Sequence, residues 1–163
     1  MAFNKKGSIQ DLIFIIVVAL VFSFFLLIGY KITDEFNTKI QARTDMDSYG
    51  KTAVSTINNH FPGIMNNMFL FVIVGLAITT IILASLIKTH PIFLVFFIVA
   101  LILVIFFAAI YSNVYQTMAS NSALSSQANK MTIPAFVMNY LPFIIGIFGI
   151  ILAIVMYKTW SNE

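Results

Sequence analysis

The sequence predicts an all-α, polytopic integral membrane protein with four transmembrane helices. Four long apolar runs carry this prediction, at residues 12–30, 68–87, 92–111 and 141–157, and none of them contains Asp, Glu, Lys, Arg or His. A bilayer core about 30 Å thick requires roughly 20 apolar residues in a helix that rises 1.5 Å per residue. The composition agrees, because 60% of the residues are hydrophobic and only 9% are charged, far from the averages of soluble domains.

The polar segments between these runs are short, so residues 1–163 are predicted to form a single membrane domain. Neither of the two longer segments is large enough to build an independent hydrophobic core. We therefore expect no soluble catalytic module. Cysteine is absent, which excludes disulfides, thiolate metal sites and a cysteine nucleophile.

The first span, residues 12–30, is predicted to continue as a helix beyond the bilayer to about Thr44. Apolar residues recur at a spacing of four after it, with no Gly or Pro to end the helix. A second amphipathic stretch follows and ends at Pro62-Gly63, a dipeptide typical of turns. We expect the connecting segment 32–61 to be a helical hairpin that lies on the membrane surface or packs on its neighbours. The alternative is a partner-docking surface, and its candidate residues are Ile32, Phe36, Ile40, Tyr49 and Ile57.

The second and third spans, residues 68–87 and 92–111, are separated only by Lys88–Pro91. Pro91 cannot continue the second span, but it is tolerated in the first turn of the third. This spacing predicts a tight hairpin in which the two helices are antiparallel neighbours. A polar, Ser/Asn-rich loop at 112–133 is predicted next, in which Tyr115, Met118 and Leu124 could carry the third helix a few turns beyond the bilayer.

The last span is predicted over residues 135–157, with a kink at Pro142. The alternative is a helix that begins near Leu141, but the apolar residues 135–138 favour the longer, kinked helix. Four spans place both termini on the same side of the membrane. The Lys5-Lys6 flank and the tight loop at Lys88 slightly favour the cytoplasmic or interior side for them. The membrane itself is that of a cell or of a virus.

No catalytic residue, cofactor site or metal site is predicted. Ionisable groups inside a membrane usually mark function, and the four spans carry none. His60 and His90 fall on opposite sides in this topology, and no HExxH, P-loop or GxSxG motif is present. The net charge of +3 comes from dispersed basic residues, unlike the clustered footprint of a nucleic-acid-binding protein. We expect a non-enzymatic protein with no cofactor, no nucleic-acid partner and no small-molecule substrate.

Small residues within the spans are the candidate helix-packing positions. Small side chains four residues apart let helix backbones approach closely, within one bundle or between subunits. The positions predicted for this role are Ala19, Ser23, Gly75, Thr79, Ala84, Gly146, Gly149 and Ala153.

The segment Lys5-Lys6-Gly7-Ser8, followed by Gln10 and a long apolar run, resembles the N-terminal signal of archaeal type IV pilin precursors. That resemblance implies cleavage after Gly7 and packing of the first helix into a filament core. It covers only the first span and its flank. The three further spans depart from the pilin pattern, in which a soluble head follows the first helix.

These observations together predict a structural or assembly subunit of a larger membrane-associated assembly. A virion membrane protein and a small accessory subunit of a membrane complex both fit this description. The expected partners are the lipid bilayer and other membrane protein subunits, either further copies of the chain or different proteins. The alternative, from a different class, is a small pore or holin-like membrane permeabiliser.

Overall fold

The computed structural model describes residues 7–86 and 91–161, and these residues form helices with no strand among them. Four of the helices are long and apolar enough to cross a membrane, which confirms the predicted all-α class and the number of long apolar helices. The helices are α1 (Gly7–Ala42), α2 (Ser48–Leu86), α3 (Pro91–Ala119), α4 (Ser125–Lys130), α5 (Thr132–Asn139) and α6 (Leu141–Ser161).

α1 and α2 form a long antiparallel pair held by aromatic stacking. Phe22 stacks on Phe69 with ring centroids 5.9 Å apart, and Tyr30 stacks on Phe61 at 5.6 Å. Residue numbers rise along one helix as they fall along the other, so the two helices run in opposite directions. Such stacked pairs add about 0.5–1.5 kcal/mol each to the free energy of burial.

α3 and α6 form the second antiparallel pair, and they approach very closely at Gly149. α6 places Gly149 against Leu101 of α3 and Gly146 near Ile105. α1 also packs on α3, and α2 also packs on α6. The four long helices therefore surround one core, in the order α1, α2, α6, α3.

This order corrects the predicted relation between α2 and α3. The two helices run in opposite directions, but among the described residues they are not an extensively packed pair. α1 and α6 lie between them, so α2 and α3 occupy opposite corners of the bundle. A short connection fixes the direction of the next helix but not the neighbour on which it packs. Residues 87–90, which hold the predicted tight turn, lie outside the described residues, as do Lys5, Lys6 and His90.

α2 also differs from its prediction, because it continues through Pro62 and Gly63 as one helix. A proline inside a helix removes a backbone hydrogen bond and costs about 3 kcal/mol. Contacts with α1 hold the helix on both sides of this point: Phe61 stacks on Tyr30 just before it, and Phe69 stacks on Phe22 after it. Tertiary packing, which supplies most helix stability in proteins, overrides the local preference for a turn.

The C-terminal third differs from its prediction in two places. The predicted loop 112–133 is largely helical, since α3 extends to Ala119 and α4 occupies part of the remainder. The preferred kinked helix 135–157 is wrong: this segment forms two helices, α5 and α6, separated at Tyr140, and the last long helix begins at Leu141, as in the alternative. Pro142 lies in the first turn of α6, where its missing N–H has no helical partner to lose.

Beyond Tyr30, α1 and α2 form a two-helix hairpin, which we call the projecting hairpin (residues 31–61). α1 ends at Ala42, close to the predicted end near Thr44, and so extends about 18 Å past Tyr30 at 1.5 Å per residue. The hairpin closes on itself: the Gln41 amide donates to the Lys51 carbonyl at 2.9 Å, and the Lys51 ammonium donates to the Gln41 carbonyl at 3.1 Å. Between Asp34 and Asn58, which includes the tip of the hairpin, the described residues form no hydrogen bond with α3–α6.

Candidate functional site

A polar joint lies at the base of the projecting hairpin, where α1, α2 and α4 meet. The Asp34 carboxylate accepts one hydrogen bond from the Asn58 amide and another from the Gln127 amide, each of 3.0 Å. Asn58 and Gln127 are only 4% and 7% exposed. Hydrogen bonds to a charged acceptor are stronger than neutral ones. We call these three residues the polar joint, and it fixes the hairpin to the remainder of the bundle.

A strap, residues 120–133, crosses the bundle at this level and is held to it by further hydrogen bonds. The Lys31 ammonium donates to the Ala123 carbonyl at 3.0 Å, and the Lys130 ammonium donates to the Tyr30 hydroxyl at 3.0 Å. The backbone N–H of Ile133 donates to the Asn66 side chain at 3.3 Å. The strap is therefore attached to α1 by hydrogen bonds at Tyr30, Lys31 and Asp34, and to α2 through Asn66.

Lys130 interacts with Tyr30 through its hydroxyl and not through the ring face. The ammonium lies 3.0 Å from the hydroxyl but 5.4 Å from the ring centroid, which places it beyond the ring edge. Cation–π attraction requires a cation over the face. The hydrogen bond to Tyr30 raises the pKa of the Lys130 ammonium, with a smaller contribution from the Asp34 carboxylate. Lys130 therefore remains charged at neutral pH.

The tip of the hairpin is ordered by two acidic side chains. Asp45 accepts a bidentate pair of hydrogen bonds from the Arg43 guanidinium, at 3.0 and 2.9 Å. Asp47 accepts a hydrogen bond from the Gly50 backbone N–H at 2.8 Å, which is the geometry of an N-cap at the start of α2. Each carboxylate therefore has a partner within the chain.

The Arg43 hydrogen bond lowers the pKa of the Asp45 carboxyl below its ordinary value of 3.8. A lowered pKa means that the tip contact is fully present above pH 3.8 and is lost as the pH falls through the lowered value. We expect Arg43→Gln to return the Asp45 pKa towards 3.8. A carboxyl-resolved NMR titration of the protein in micelles measures it. Lys39→Gln is the control, and an equal shift in that variant would contradict the assignment.

The structure separates the five predicted docking residues into two groups. Phe36, Tyr49 and Ile57 are 54%, 85% and 62% exposed, and Ile32 is similarly exposed, all on the projecting hairpin. Ile40 is buried and packs inside the hairpin, so it is not available to a partner. On α1, Ile32 and Phe36 lie two residues to either side of Asp34, and two residues turn a helix by about 200°. They therefore face away from the polar joint.

The predicted helix-packing residues are buried or half-buried on α1 and α6, whereas on α2 only some of them pack. Ala19 and Ser23 are buried on α1, and Ala84 is buried on α2. On α6, Gly149 is buried, and Gly146 and Ala153 are half-buried. Gly75 and Thr79 of α2 do not pack: a Cβ atom at Gly75 would meet nothing within 4 Å, and Thr79 is exposed. The neighbouring Thr80 is buried in its place, because one residue turns the helix by about 100°.

The polar joint is the part of the site that sequence reasoning missed. Asp34 is 24 residues from Asn58 and 93 from Gln127, and no spacing rule connects positions so far apart. The one available signal was Asn58 itself, an amide that falls on the inner face of an amphipathic helix. Its side-chain oxygen is buried without a hydrogen-bond partner among the described residues.

Within residues 7–86 and 91–161, no three His, Cys, Asp or Glu side chains lie close enough together to hold a metal ion. His60 is exposed on the hairpin. The site therefore consists of a polar joint, a strap and an exposed apolar surface. No known protein family matches this chain, and no curated protein and no solved structure is similar to it.

Proposed function

We propose that this chain is a non-enzymatic structural or assembly subunit of a larger membrane-associated assembly. In this proposal the four long helices cross a bilayer, and the projecting hairpin binds another protein subunit. The observation that carries it is the exposure of Ile32, Phe36 and Ile57 on a hairpin that extends past the apolar runs. Exposed apolar side chains gathered on one structural element mark an interaction surface.

The charges of the hairpin support an apolar mode of binding. Lys31 pairs with Glu35 at 3.6 Å, and Arg43 pairs with Asp45 at 2.9 Å. Asp34 is engaged in the polar joint. Because these groups are already bonded within the chain, the exposed Ile and Phe side chains are what the hairpin offers to a partner.

The interior of the bundle supports a structural role over the pore or holin-like alternative. Large apolar side chains such as Leu27, Phe69 and Phe97 are fully buried between the long helices. The buried hydroxyls of Ser23 and Thr80 donate to carbonyls of their own helices, at 2.6 and 2.9 Å. A pore requires polar groups turned towards a hydrated lumen, and these hydroxyls are not free to line one.

The assembly we propose is a virion membrane or a multi-subunit membrane complex. Both use small, charge-poor proteins that occupy bilayer and contact neighbours. In this proposal both termini face the cytoplasm or the interior of the particle, and the hairpin tip faces the opposite side. The bilayer and the neighbouring subunits are then the partners, and no cofactor or small-molecule substrate is needed.

The test is the size and composition of the native assembly. The protein is extracted from its source membrane in mild detergent, separated on a native gel, and its stoichiometric companions are identified by mass spectrometry. We expect migration within a large assembly and its loss in the Phe36→Glu, Ile57→Glu double variant. Thr38→Glu is the matched control on the same hairpin. Migration of the unaltered chain as a single 18.2 kDa species in its detergent belt would overturn the proposal.

A further inference from the structure

α1 carries an exposed apolar stripe that continues without interruption from its bilayer-length segment onto the projecting hairpin. Successive members are three or four residues apart, in a pattern that repeats every 11 residues, so that Phe14, Phe25 and Phe36 hold equivalent positions. All members of this α1 stripe are more than a third exposed: Phe14, Val17, Val21, Phe25, Ile28, Ile32 and Phe36.

The period of the stripe favours a long helical partner. Eleven residues make three turns at about 3.67 residues per turn, close to the 3.6 of a straight α-helix. The stripe therefore stays on one side of α1 over 22 residues, or about 33 Å at 1.5 Å per residue. Another helix that lies along α1 can contact it over this whole length.

Lipid covers only part of this stripe in the proposed arrangement. Lys31 and Asp34 mark the level at which polar contacts with the strap begin, and Ile32 and Phe36 lie at that level or beyond it. An occupant of the whole stripe must cross the bilayer beside α1 and then continue outward as a helix. α1 and α2 of a second copy both meet these requirements. α1 also carries the same 11-residue pattern, so that its apolar layers match those of the stripe.

We propose that the α1 stripe is a self-association surface, which pairs in parallel with the α1 stripe of a second copy. This inference rests on the proposed function for the insertion of the helices in a bilayer. Two copies inserted in one membrane have the same orientation, so their α1 helices are parallel and identical layers face each other. Phe14, Phe25 and Phe36 then meet their counterparts at three levels.

The balance of charges on the hairpin also permits a second copy. Residues 31–51 contain four basic and four acidic side chains, so the hairpins of two copies carry no net charge and do not repel each other at long range. A strongly charged hairpin would instead select a partner of opposite sign. The apolar stripe and the neutral hairpin therefore both suit an identical partner.

The absence of cysteine allows a direct test by single-cysteine cross-linking. The full-length variants Phe25→Cys and Phe36→Cys are reconstituted in phosphatidylcholine vesicles and treated with copper phenanthroline. Thr38→Cys is the matched control, since Thr38 is exposed on the same helix and about 200° from Phe36. We expect about tenfold more covalent dimer at Phe25 and Phe36 than at Thr38, because a disulfide requires Cβ atoms about 3.8 Å apart.

A second measurement keeps the inference independent of cysteine geometry. Single-molecule photobleaching of the labelled, unaltered chain in the same vesicles is expected to show two steps, and Phe25→Ala, Phe36→Ala is expected to show one. One-step bleaching of the unaltered chain, with equal cross-linking at all three cysteines, would overturn the second copy as occupant. If the native assembly then contains other stoichiometric chains, the proposed function still holds. If the protein forms no such assembly, both the proposed function and the self-association inference are wrong.

Discussion

Gly149→Ala is expected to destabilise the protein by about 1–3 kcal/mol through overpacking between α6 and α3. A Cβ atom at this position would lie 2.6 Å from Cδ2 and 3.0 Å from Cγ of Leu101, and nearer still to Cδ1. Leu101 is itself buried, so its side chain has little room to move away. The free energy of unfolding can be measured by titrating the micellar protein with dodecyl sulfate and following helix content.

Gly75→Ala provides the matched control, since it makes the same chemical change inside another apolar helix. A Cβ atom there meets nothing within 4 Å, and alanine favours a helix by about 1 kcal/mol over glycine. This variant should be neutral or stabilised. Leu101→Ala combined with Gly149→Ala should cost less than the sum of the two single changes, as expected for residues in contact. Simple additivity would show that the two residues do not press on each other.

Asp34→Ala is expected to weaken the attachment of the strap to the projecting hairpin, with a loss of about 3 kcal/mol in the free energy of unfolding, because two hydrogen bonds to a charged acceptor disappear. The change also leaves the Asn58 and Gln127 amides buried without their common acceptor. Asn58 is poorly placed to compensate, because its side-chain oxygen already lacks a partner among the described residues.

Hydrogen exchange followed by mass spectrometry gives the readout for Asp34. Faster exchange is expected in the strap, residues 120–133, and at the base of the hairpin, with little change in the segments of α3 and α6 that meet at Gly149. Asp34→Asn should lie between the native chain and Asp34→Ala, since an amide oxygen can still accept one of the two hydrogen bonds. Glu35→Ala is the control from the next position on the same helix, where only an exposed ion pair to Lys31 is lost. Equal exchange in the Glu35 and Asp34 alanine variants would contradict the role of the joint.

Properties that depend on a single segment could be predicted from the sequence. The length and polarity of each apolar run identify the four long helices, because bilayer thickness and helix rise fix the required number of residues. The continuation of α1 beyond Tyr30 follows from spacing of four and from the lack of Gly or Pro. These are local or one-dimensional properties of the chain.

Properties that depend on several segments could not be predicted. Pro62 predicts a helix end, but stacking of Phe61 on Tyr30 from another helix retains the helix there. Gly75 and Gly149 both lie within apolar runs, so the sequence does not distinguish them. They differ only in packing, because Leu101 lies against Gly149 and no atom lies within 4 Å of a Cβ atom at Gly75. The polar joint combines α1, α2 and α4, so neither helical period nor residue type could indicate that Asp34, Asn58 and Gln127 meet.

The unbroken length of α1 has a mechanical consequence. Its 36 residues form one rod about 54 Å long, with no proline along it to act as a hinge. A tilt of roughly 10° about its midpoint displaces each end by about 5 Å in opposite directions. A force that tilts the hairpin tip therefore moves the opposite end of α1 in the opposite direction. The strap is attached to α1 and moves with that helix.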